Sequence, residues 1–323
     1  MKAIEITEYG GANNLKLVEK SKPKPSTGEV RLAISSAGIN FADIEKREGA
    51  YPNSPEPPYT PGIEVAGVID AVGRDVDREP GEKVAAIIEE GGYAEYVTFD
   101  PDNILEIPNG VDVVDASAYP VQFLTAHNAL HEWGQVEANE SVLIHAAAGG
   151  VGSAAVQLAA SLDIEVYATA STERKLNFAA RLGADTCINY ETADVRSIIL
   201  EGTDEEGVDL VLDGVGGDAF YTSLEVLGAG GRIVTYGIAS GNVPVISPPR
   251  LIFENKSLVG FHLGHALEHD RERIMKSLPD LHELFEEGDL QIQIGDRFDL
   301  ENAGEAHQFI ESRNSIGKVV LDI

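Results

Sequence analysis

Gly149, Gly150, Val151 and Gly152 follow an apolar run, Val142 to Ala146, and precede a helical pattern from Ser153 to Ser161. Strand, small-residue turn and helix in that succession bring a pyrophosphate against backbone N–H groups at a helix N-terminus. Gly149 would let the backbone approach the phosphates, and Gly152 would let the helix pack closely on the strand. The first glycine of the common fingerprint is Ala147 here, so the pattern is A-x-G-x-x-G. Alone, it also reads as a glycine-containing connection in any α/β protein.

A second apolar run, Ile164 to Thr169, follows at βαβ distance. An acidic residue at its end would accept a ribose 2′-OH. Ala170 stands there instead, followed by Ser171, Thr172, Glu173, Arg174 and Lys175. A hydroxyl and two cations suit a 2′-phosphate, so the expected cofactor is NADPH. The alternative makes Ser171 a helix cap and Arg174 and Lys175 a solvated first turn. Cations in a first turn oppose the helix dipole, which a nearby anion would explain.

The elements that must hold these residues alternate in type from about residue 121 to 261. The patterns predict strands over Thr186–Asn189, Val208–Asp213, Gly231–Tyr236 and Ser257–Phe261, with helices between. Together with the first two runs they make six strands, enough for a doubly wound parallel sheet in an α/β fold. Gly214, Gly216, Gly217 and Gly237 follow strand ends and should line a ligand groove. Residues 1–120 read as a mostly antiparallel β domain of short runs punctuated by proline and glycine. Residues 262–323 are expected to return to it, through two helices that Pro279 separates. His127, His131 and His145 sit on helix or strand faces and read as structural histidines.

Composition narrows the classes. A chain of 323 residues with 43% hydrophobic content suits two domains. No run approaches a membrane span, and Met1 to Ile6 lacks a signal-peptide pattern. Cys187 is the single cysteine, so a thiolate-rich metal site is excluded and a reducing cytoplasm is expected. Fifty-four acidic residues against 24 basic ones give a net charge of −30. That field disfavours nucleic acid and anionic membranes. It is best tolerated where salt screens it, so a salt-loving host such as a halophilic archaeon is expected. The alternative is an ordinary acidic bacterial enzyme.

The segments Gly38-Ile-Asn-Phe-Ala-Asp43, Arg47-Glu-Gly-Ala-Tyr51, Tyr59 to Gly67, His145 to Gly152 and Gly304 to Lys318 recur in one family. Through them the whole chain resembles the zinc-independent quinone oxidoreductase branch of the medium-chain dehydrogenase/reductase superfamily. The resemblance implies a GroES-like β domain beside a Rossmann NADPH domain, and a homodimer joined near an edge of the nucleotide sheet. It places Gly149, Gly150, Val151 and Gly152 at the pyrophosphate, and Ser171, Lys175 and Tyr190 around the adenosine phosphate. Thr125, Gly237, Phe261 and Leu263 would border the nicotinamide, and Ser315 the closing segment. The positions matching the zinc ligands of related dehydrogenases fall on Asn40, Ile63 and Val121, which cannot hold zinc; Glu64 beside them reads as a structural acid.

Without a Lewis acid the acceptor must already be electrophilic, a quinone or an enone. Tyr51 is then the candidate donor to the developing oxyanion, or else packs among Pro52, Pro57 and Pro58. Asn40 contacts the nicotinamide ribose or orders a water, or else is a turn amide. Two other activities stay open: reduction of an enoyl double bond, and binding of NADPH with little turnover.

Overall fold

A computed structural model describes residues 1–162 and 164–323, which form two compact units. One comprises residues 1–121 and 292–323, the other residues 122–291.

The first unit is built on the strand Val30–Ile39, where buried residues alternate with partly exposed ones and then run on buried. Such alternation seats one face of a strand on a core and leaves the other for a second layer. Its antiparallel partners are Lys318–Asp322, Glu64–Val72 and Tyr96–Phe99. The sheet continues through Lys83–Ile87 to Ile104–Leu105 on one side, and to Ile294–Asp299 on the other. Only the last pairing, Ile294–Asp299 with Lys318–Asp322, is parallel, and the helix Ala303–Glu311 makes that crossover. Leu32, Ile69, Val84 and Leu321 fill the core, each side chain contributing about 1.5–3 kcal/mol by burial. The mostly antiparallel β domain expected for residues 1–120 is present.

In the second unit the strands are β1 (Ser141–Ile144), β2 (Glu165–Ala170), β3 (Thr186–Asn189), β4 (Val208–Asp213), β5 (Leu227–Thr235) and β6 (Ser257–Gly260). Helices α1 (Gly150–Ala160), α2 (Glu173–Arg181), α3 (Val195–Gly202) and α4 (Gly217–Val226) connect them. The order is β3-β2-β1-β4-β5-β6, parallel throughout. This is the doubly wound Rossmann sheet, with its switch point between β1 and β4.

The return to the first unit comes at Ile292, not at residue 262. The helices Leu263–His269, Arg271–Met275 and Ser277–Glu287 belong to the second unit, because their side chains are tied to it. Arg273 donates to the Glu132 carboxylate and carbonyl at 2.9 and 2.8 Å, with its guanidinium over the Trp133 ring. The Phe285 ring meets Phe123, and Asn128 donates to Ser277 Oγ. Pro279 is also not a break. It occupies the first turn of Ser277–Glu287, where the N–H it lacks would have no intrahelical partner.

Candidate functional site

At the carboxyl end of β1 the chain turns through Ala146, whose φ of 50° is unusual for a residue with a side chain. The turn is held by hydrogen bonds from Ala147 N to Thr169 O and from Gly149 N to Ala146 O. Gly149 is the N-cap of α1 and brings no side-chain oxygen to its first turn. The N–H groups of Gly150, Val151 and Gly152 open that turn, the arrangement that receives a phosphate. A Cβ on Gly152 would lie 2.3 Å from Ala146 O and 2.8 Å from Ala147 Cα. Glycine is therefore demanded by helix-on-turn packing, as the sequence suggested.

Beneath the turn His145 is buried between Thr169 Oγ1, 2.9 Å from Nδ1, and Ser223 Oγ, 2.9 Å from Nε2. Ser223 gives its own proton to Ala219 O. Nε2 must then carry the imidazole proton and Nδ1 accept from Thr169. Burial lowers the His145 pKa and keeps the ring neutral.

β2 ends on Ala170, where no carboxylate is present to meet a ribose. Thr172, not Ser171, caps α2, accepting from Lys175 N. The competing role of Ser171 as the cap thus falls to its neighbour. Tyr190 N donates to Ala170 O at the end of β3, which brings Tyr190 beside the Ala170–Ser171 corner. Ser171, Tyr190 and the first-turn residue Lys175 therefore gather at the adjoining carboxyl ends of β2 and β3.

Farther along the sheet, Asp213 Oδ1 accepts from Val215 N and Gly216 N and holds the turn after β4. A Cβ on Gly237 would come within 3.0 Å of Gly214 O, so the two turns touch through backbone. Phe261 N donates to Thr235 O, and its ring lies 4.4 Å from that of Trp133. Leu263 opens the next helix, and Thr125 is buried within the helix Pro120–Asn128.

Asn40, Tyr51 and Ser315 lie in the first unit. The Asn40 amide is engaged inward: Nδ2 donates to Glu64 Oε2 at 2.9 Å, and Oδ1 accepts from Lys318 Nζ at 2.6 Å. Lys318 Nζ also lies 2.6 Å from Glu64 Oε2, and Glu64 Oε1 accepts from Val121 N. Of the three positions matched to zinc ligands, Ile63 and Val121 have no donor side chains, and Asn40 Oδ1 accepts from the Lys318 ammonium. Tyr51 is half-buried, with Lys46 Nζ 5.6 Å from its ring centroid. Burial, then the Glu45 and Asp43 carboxylates, push its pKa up to about 12, so its hydroxyl keeps its proton. Ser315 is half-buried before the strand Lys318–Asp322.

Lys318 was not among the expected site residues. A lysine opening the apolar strand Lys318-Val-Val-Leu reads as an edge charge, yet it is buried. The same holds for the network of Arg47, Tyr93 and His307. Arg47 Nη1 donates to His307 Nδ1, and His307 Nε2 lies 3.0 Å from the Tyr93 hydroxyl. An arginine buried among helix residues was the one signal that could have found it.

Residues 26–109 match the alcohol dehydrogenase GroES-like domain, and residues 150–280 the zinc-binding dehydrogenase family. A probable quinone oxidoreductase of Schizosaccharomyces pombe is 34% identical over 326 residues, 98% of this chain and 96% of that protein. The synaptic vesicle membrane protein VAT-1 homolog of Danio rerio is 35% identical over 99% of this chain and 69% of its own length. The chain belongs to the quinone oxidoreductase branch of the medium-chain dehydrogenase/reductase superfamily. Its fold superposes on Escherichia coli quinone oxidoreductase complexed with NADPH with a TM-score of 0.94, at 29% identity and full coverage of both chains. This branch member keeps the superfamily's two-unit frame, while of its side chains at the matched metal positions only Asn40 is polar, and it bonds to Glu64 and Lys318.

Proposed function

We propose that the protein is an NADPH-dependent reductase that delivers hydride to a quinone without a metal. The observation that carries the cofactor choice is the end of β2. Ala170 replaces the carboxylate, Thr172 takes over the capping, and Ser171, Lys175 and Tyr190 remain around a position fit for a 2′-phosphate. The N-terminus of α1, with its Gly152 packing, would hold the pyrophosphate. Bound NADPH supplies the hydride. The chain's own part is to orient the nicotinamide and donate to the oxygen that gains charge. Tyr51 is the candidate donor because its hydroxyl holds its proton across the working range. Quinones delocalise the added charge, so no Lewis acid is needed.

The assembly we propose is a cytoplasmic homodimer. Strand β6 is the outer strand of its sheet, and Val243, Val245, Ile252 and Phe253 nearby are exposed, Phe253 by 84%. An edge strand flanked by apolar side chains is suited to pairing with its own copy across a two-fold axis.

The test offers NADPH and NADH with a 1,4-quinone and an enone in parallel, in ~2–3 M KCl to screen the acidic surface. Quinone-dependent oxidation of NADPH well above that of NADH is expected. Preference for the enone would instead favour double-bond reduction, and tight NADPH binding with no turnover would leave a binding protein.

A further inference from the structure

Three of the eight histidines crowd one short stretch, His262, His265 and His269, outside every residue assigned to the cofactor or the acceptor. The helix Leu263–His269 places His265, Glu268 and His269 at i, i+3 and i+4, which share one face. All three are exposed, and a ligand atom from each lies within 4.8 Å of the others. The two imidazoles stack with centroids 4.1 Å apart and planes inclined by 23°.

Hydrogen bonds orient the His269 ring and fix the turn that carries His265. His269 Nδ1 lies 3.1 Å from His265 O and 3.6 Å from Glu268 Oε2. A proton on Nδ1 donated to that carbonyl leaves Nε2 as the lone-pair donor, the backbone-carbonyl arrangement found behind metal-bound histidines. His262 caps the helix by accepting from His265 N at 2.9 Å, which fixes the turn that carries His265. Asp270 and Glu272 follow, and the net charge of −30 raises the local concentration of cations.

We propose that His265, Glu268 and His269 form a surface site for one late first-row divalent ion, of the class of Zn2+, Ni2+ or Cu2+. Two imidazoles and a carboxylate match the donor preference of these ions, whereas Mg2+ and Ca2+ take oxygen donors. Three protein ligands leave a coordination position for water. The ion would cross-link the turns of a seven-residue helix, a length at which an isolated helix is marginal. The helix starts two residues after Phe261, so occupancy would stiffen the segment expected beside the nicotinamide.

The experiment is calorimetric titration of the full chain with ZnCl2 alone as the probe, in KCl with excess Mg2+ to fill oxygen-only sites. One equivalent of Zn2+ should bind, and His269→Ala should weaken it at least ~10-fold. His265→Ala/His269→Ala should abolish it. Metal-free melts of the variants, unchanged because the side chains are exposed, separate ligand loss from unfolding. No Zn2+ binding by the parent protein, or undiminished binding by the double variant, overturns the site. A variant that loses binding while its metal-free melt also collapses is replaced by Glu268→Gln, which must weaken Zn2+ binding if the proposal holds.

Discussion

Lys318 Nζ lies 2.6 Å from Glu64 Oε2, and the two residues reach each other across the Ile39 end of the central strand Val30–Ile39. Gly38 makes the crossing possible. A Cβ there would stand 2.6 Å from Glu64 Oε2, 2.9 Å from Lys318 Cε and 2.3 Å from Ser117 O. Both charges are out of water, so removing one strands the other. Lys318→Met is expected to cost about 3–5 kcal/mol in denaturant unfolding. Lys318→Met/Glu64→Gln should recover most of that. Equal losses in the single and double variants would mean that the pair itself is not what the fold depends on.

The cofactor reading rests on Ser171 and Lys175. Ser171→Ala/Lys175→Ala should lower kcat/KM for NADPH at least tenfold, since a charge-assisted hydrogen bond contributes about 1.5–3 kcal/mol. NADH kinetics should stay nearly constant. Parallel losses with both cofactors would place the 2′-phosphate elsewhere.

Acid should destabilise the protein through buried neutral histidines. Burial lowers the pKa of His307 to about 3, with Arg47 adding to the effect, and burial lowers that of His127 to about 4. The unfolded chain takes up these protons below about 6.5, so this stability is complete above that pH and is lost as pH falls toward those values. Asp43 works in the opposite sense. Burial raises its pKa from 3.8 to about 6, so its contribution is present below 3.8 and lost as pH rises to 6. Two histidines outweigh one aspartate. His307→Gln should flatten the stability-versus-pH slope between pH 6 and 4 by up to ~1.4 kcal/mol per pH unit. Parallel slopes for variant and parent would remove His307 from the account.

A chain carrying 54 acidic against 24 basic residues repels itself at low ionic strength. The thermal midpoint should climb through a KCl series into the molar range as the charges are screened. A midpoint that stays flat would fit an ordinary acidic enzyme.

Phe253→Asp/Val245→Asp adds charge beside the outer strand β6 without touching the core, since both side chains are exposed. If this edge joins two copies, sedimentation should show the dimer mass halved and the melt of the monomer cooperative. An unchanged mass would move the interface to another face.

Local chemistry made much of this protein readable in one dimension. The six strands and the glycine turn were legible because hydrophobic periodicity and backbone demands act within a few residues: Gly152 must be glycine, and Ala170 cannot bind a ribose hydroxyl. Family-wide segments such as Gly38 to Asp43 then named the branch. Tertiary structure alone decided the rest. Lys318, 254 residues from Glu64, became a buried cation only when two strands flanked a third, and Thr172 displaced Ser171 as the cap through backbone geometry that composition does not record. The return of the chain at Ile292, with Pro279 inside a helix, was set by Arg273, Ser277 and Phe285 packing on Glu132, Asn128 and Phe123. Contacts between residues far apart in the chain carry energies that no local pattern encodes.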